Sequence, residues 1–70
     1  MCVTVTCTDM GYNTDYSGWR YDFTGLVDEK QVIYTPIIVP DSVPQQDRRD
    51  QAIRNFGDLL DALAVEARNL

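Results

Sequence analysis

The chain has no histidine, and of its 70 residues only six are basic and two are cysteine. Each shortage removes a class of chemistry. Without histidine the usual general base near neutral pH is missing. The single lysine, Lys30, stands among Asp28 and Glu29 in a charged turn rather than in an apolar run, and Ser17 and Ser42 have no base beside them in sequence. Pairs such as Asp9 and Asp15 can meet in space, but with eleven carboxylates some such pair is expected by chance. No enzyme is expected from this inventory. Two thiolates without an imidazole do not complete a tetrahedral zinc site. Asp9, Asn13 and Asp15 lack the central glycine and final glutamate of a calcium loop. Neither metal nor cofactor is expected.

The cysteines also resist pairing with each other. Cys2 and Cys7 lie in the alternating stretch CVTVTCT. In a strand an odd separation puts side chains on opposite faces, with alpha carbons about 16 Å apart at roughly 3.3 Å per residue. A disulfide needs less than about 7 Å, so two free thiols are expected. No apolar run approaches the roughly 18 residues of a membrane-spanning helix. No basic segment followed by an apolar one marks a signal peptide. An intracellular, cytoplasmic setting is expected.

Charge of one sign is scarce. The net charge is −5, with six acids against two bases in residues 1–43 and five against four in residues 44–70. Direct nucleic-acid binding needs clustered Lys and Arg and is not expected. A partner protein with a basic surface suits the acidic first half. Arg48 and Arg49 are flanked by Asp47 and Asp50, which reads as a solvated helix face.

What the chain does contain is periodicity. Cys2–Thr8 alternates, with Val3, Val5 and Cys7 on one face, and reads as a half-buried strand. Trp19–Thr24 alternates again, placing Trp19, Tyr21 and Phe23 toward a core. Gln31–Val39 is a third strand, at an edge or bulged near Thr35–Pro36, because proline cannot donate to a ladder. Asp9–Gly18 reads as a loop or extended hairpin tip. From Pro44 to Asn69 a helix is expected, capped by Ser42, with Ile53, Phe56, Leu60, Leu63, Ala67 and Leu70 spaced by three and four. Gly57 inside it suggests close approach of a neighbour. These elements form a single domain over residues 1–70, of class α+β. It has two layers, a three-stranded antiparallel meander packed against one long C-terminal helix, βββα.

The stretch Gly11–Tyr21, GYNTDYSGWRY, holds three of the four tyrosines and the only tryptophan among small polar residues. Protein-binding loops use that mixture, because the aromatic rings are rigid anchors and the polar residues adapt their hydrogen bonds. Trp19 and Tyr21 fit the core better than a contact surface. Tyr12, Tyr16 and Arg20 are the expected anchors of a partner-binding surface, with Asp9, Asp15 and Asp22 as its negative rim. The profile of one small acidic domain without catalytic residues is similar to that of many phage-encoded inhibitors of host or defence proteins, anti-CRISPR proteins among them. The resemblance implies an inhibitor docking on a basic, nucleic-acid-binding surface of a larger protein, in the host cytoplasm. It covers no stretch residue by residue and carries over no site residues. The alternative is a structural homodimer assembled through the long helix, whose strict 3-4 stripe also suits helix pairing.

Overall fold

Beta-branched and aromatic residues at period two dominate the first forty residues, and in the computed structural model, which describes residues 1–70, they form three strands. These are β1 (Val3–Asn13), β2 (Gly18–Val27) and β3 (Lys30–Pro40). They pair antiparallel in the order β1-β2-β3. A short 3₁₀ turn, Gln45–Asp47, leads into α1 (Arg48–Arg68). The architecture is the expected βββα meander under one helix.

β1 is longer than its alternating stretch suggested. Met10 is an extra residue between the pairs Asp9–Tyr21 and Gly11–Arg20. Gly11 takes φ +84°, a conformation glycine adopts without steric cost, and its N–H donates to Asp9 Oδ1 at 2.9 Å. This bulge lets pairing resume up to Asn13, so the loop shrinks to Thr14–Ser17. β3 is an edge strand, as its proline required, but its irregularity falls at Val32, between the pairs Gly25–Ile33 and Leu26–Gln31, rather than near Pro36. Asp28 and Glu29 both have positive φ (50° and 68°), so they form the tight two-residue turn whose twist matches a hairpin.

Tyr21, Phe23, Val39, Ala52 and Phe56 are the buried core, with Cys7, Trp19, Ile37, Val43 and Leu60 packed around them. Phe56 lies flat on Phe23, ring centroids 4.4 Å apart. Three expectations fail here. Val3 and Val5 share a face with Cys7, yet they are 58% and 54% exposed, because α1 packs on β3 and β2 and leaves that corner of the sheet bare. Ser42 does not cap the helix. Pro44 is extended (φ −57°, ψ 148°), so helical turns start after it, and no side-chain cap bond forms at either start. Gly57 has no close neighbour, since a Cβ there would meet nothing within 4 Å. The helical stripe continues to Leu63, which is 53% exposed.

Candidate functional site

Three surfaces gather polar and aromatic groups, and the first is the β1–β2 hairpin end. In the turn, Asn13 Oδ1 accepts the main-chain N–H groups of Asp15 (3.0 Å) and Tyr16 (3.2 Å). Ser17 closes the turn at φ +51°. An asparagine bonded to its own following backbone fixes the loop without ladder partners. Tyr16 stands on this fixed turn, 71% exposed, beside an exposed Asp15.

Tyr12 is not a loop residue. The bulge returns it to the helix-facing side of the sheet opposite Trp19, and the two rings meet edge to face at 5.3 Å. Asp41 ties them together by accepting from Trp19 Nε1 at 3.0 Å and from the Tyr12 hydroxyl at 3.3 Å. The Arg48 guanidinium covers the Trp19 ring at 4.0 Å, and its Nε donates to the Val43 carbonyl at 3.3 Å. Arg48 therefore does not belong to a solvated helix face.

Arg20 and Asp22 occupy the opposite, open face of the sheet. Arg20 Nε donates to Asp22 Oδ1 at 2.7 Å, and its Nη2 to Asp22 Oδ2 at 3.2 Å and to Tyr34 Oη at 2.8 Å. The Tyr34 hydroxyl in turn donates to Asp22 Oδ2 at 2.7 Å. The Asp22 carboxyl is held below its ordinary value, chiefly by the bond from Arg20, with Tyr34 adding and burial opposing. Arg20 is raised chiefly by its bond to Asp22. The group is closed on itself, with each charge already paired.

The third surface is a half-open cavity of about 620 Å³ between sheet and helix. Cys7, Asp9, Trp19 and Tyr21 form its sheet wall, and Gln45, Arg48 and Arg49 its helix wall. Burial, above all other causes, raises the Cys7 thiol and the Tyr21 phenol, so both stay protonated at neutral pH. Two guanidiniums facing one carboxylate give the cavity a positive balance in an acidic chain.

The six expected site residues thus divide. Asp15 and Tyr16 share the hairpin tip, Tyr12 and Asp9 lie on the helix side of the sheet, and Arg20 and Asp22 on the other. Arg48, Arg49 and Asp41 were not among them. Arg49 had a legible signal, because it lies four residues before Ile53 and seven before Phe56, in line with the apolar stripe. Asp41 had none, since its partners are 22 and 29 residues away. Both cysteines are free thiols. No helix is long and apolar enough to cross a membrane. Comparisons with protein-family models, with curated proteins and with solved structures return no match.

Proposed function

We propose that this protein is a non-enzymatic, acidic binding module that inhibits a larger protein by docking on its basic, nucleic-acid-binding surface. The observation that carries this reading is Tyr16. It is a large aromatic side chain, 71% exposed, on a turn already fixed by Asn13 and flanked by Asp15. With the backbone already held, only the two side-chain torsions of the tyrosine remain to be fixed on binding. The aspartates at that end, Asp15 and Asp41, supply the sign that steers toward a basic partner.

The test is capture of partners from host lysate by tagged protein at low and high salt, with Tyr16→Ala run alongside. The reading expects one large nucleic-acid-handling protein, lost at high salt and lost with Tyr16→Ala. Recovery of the same proteins by Tyr16→Ala, indifferent to salt, would remove both the anchor and the steering.

A second reading, a homodimer built through α1, is favoured by the bare continuation of the helical stripe at Leu63. It expects Leu63→Asp to separate two copies and leave each folded, as read by sedimentation.

A further inference from the structure

In a three-stranded sheet both outer strands have a free edge, and the two edges here are not alike. Asp28 N–H donates to Cys2 O at 2.8 Å, and Cys2 N–H donates to the side chain of Asp28. Main-chain groups alternate in direction along a strand. Thr4, Thr6 and Thr8 therefore bond to β2, while the N–H and C=O groups of Val3, Val5 and Cys7 point to the free edge. The same parity, carried through the pairs Tyr34–Thr24, Pro36–Asp22 and Ile38–Arg20, turns Tyr34, Pro36 and Ile38 to the free edge of β3. There Pro36 lacks a donor and Val32 interrupts the register. These are the devices by which edges are closed to further strands. Between Val3 and Thr8, β1 has neither proline, glycine, charge nor bulge.

We propose that the β1 edge binds a second copy of this chain, antiparallel about a two-fold axis through Val5. Val5 then pairs with Val5 of the second copy, and Val3 with the second copy's Cys7. Each of these positions presents its free main-chain groups, so the ladder is complete. On the helix-facing side the contacts are Val–Val and Val–Cys, which cover the otherwise bare Val3 and Val5 beside the half-buried Cys7. On the other side Thr4 meets Thr6 of the second copy, a favourable cross-strand pair. Shifting the centre to Cys7 would bring Asp9 into the paired stretch, and shifting it to Val3 would shorten the ladder. The register centred on Val5 keeps the contact uncharged, which is where two copies of net charge −5 approach at least cost. The result is a six-stranded sheet whose outer edges are both β3, blocked at Pro36, so assembly stops at two. The α1 helices take no part in it, and the Tyr16 tips stay free at opposite ends.

The experiment is sedimentation velocity of the full chain over a concentration series, at low and high salt. The expected species has about twice the chain mass of 8.0 kDa. Its population should rise with salt, because screening weakens the repulsion between like-charged copies. Val5→Lys should return the mass to one chain with an unchanged circular-dichroism spectrum. Val5→Pro, which removes an edge-facing donor and no ladder bond to β2, should do the same if lysine perturbs the fold. Leu63→Asp should leave the dimer intact. In a Cys2→Ser, Cys7→Ser background, Val5→Cys should give a covalent dimer under mild oxidation, since facing hydrogen-bonded residues lie about 5.5 Å apart, within disulfide reach. A single-chain mass at every concentration would overturn the proposal, as would a dimer that survives Val5→Lys or is broken by Leu63→Asp. Dissociation by Val5→Lys without cross-linking of Val5→Cys would overturn the register, and larger assemblies would overturn closure at Pro36.

Discussion

Phe56 and Phe23 stack with their ring planes 9° from parallel and centroids 4.4 Å apart, at the centre of the packing of the helix on the sheet, with Ala52 and Leu60 beside them. Only five hydrophobic residues are buried, so few neighbours can compensate for the loss of this stack.

Phe56→Ala is accordingly expected to cost about 3–5 kcal/mol, from lost transfer and the cavity left behind. Small domains have roughly 5 kcal/mol or little more in total. Urea titration should show little stability left, with the midpoint moved to low denaturant. Leu63→Ala, on the same stripe but half in water, should fall within about 0.5 kcal/mol of the parent.

Asp41 holds Tyr12 and Trp19, 29 and 22 residues earlier in sequence, and Asp41→Ala removes both bonds at once. The expected loss is about 1 kcal/mol, or roughly 4–8 °C in thermal midpoint. A quenched or red-shifted Trp19 fluorescence should accompany it. Tyr16→Ala, which leaves no bonded group behind, should not move the midpoint.

Two backbone positions are improvable. Gly57 lies within α1 with room for a methyl group, so Gly57→Ala should stabilise by about 1 kcal/mol. Glu29 has φ +68° in the two-residue turn, where glycine is unstrained, and Glu29→Gly should gain roughly as much. Thermal unfolding of each variant checks the sign. A Gly57→Ala variant less stable than the parent would mean that something approaches the helix there after all.

The Arg20–Asp22–Tyr34 group sets an acid limit. The Asp22 carboxyl is lower in the folded chain than its unfolded value of about 3.9, so its contribution is present above about pH 4. It is lost as pH falls through the folded value. The difference in thermal midpoint between the parent and Asp22→Asn should be constant near neutrality and close below about pH 4. A difference independent of pH would assign the effect of the substitution to packing.

Local periodicity determined the fold class. The alternation at Trp19, Tyr21 and Phe23 fixes which face is buried, and the three-four spacing from Ile53 to Leu63 fixes the helix, because each depends only on how neighbouring residues project. What depends on contacts distant in sequence was illegible. Val3 and Val5 alternate like core residues, but burial needed a helix above them, and α1 lies on β2 and β3. Tyr12 stood in a polar, glycine-punctuated stretch, and a single bulge residue returned it to the sheet beside Trp19. Arg48 looked like one charge among several until the fold laid it on an indole ring 29 residues earlier. The order of polar and apolar residues along the chain chose the elements, while the position of one helix on one sheet decided which residues the solvent still sees.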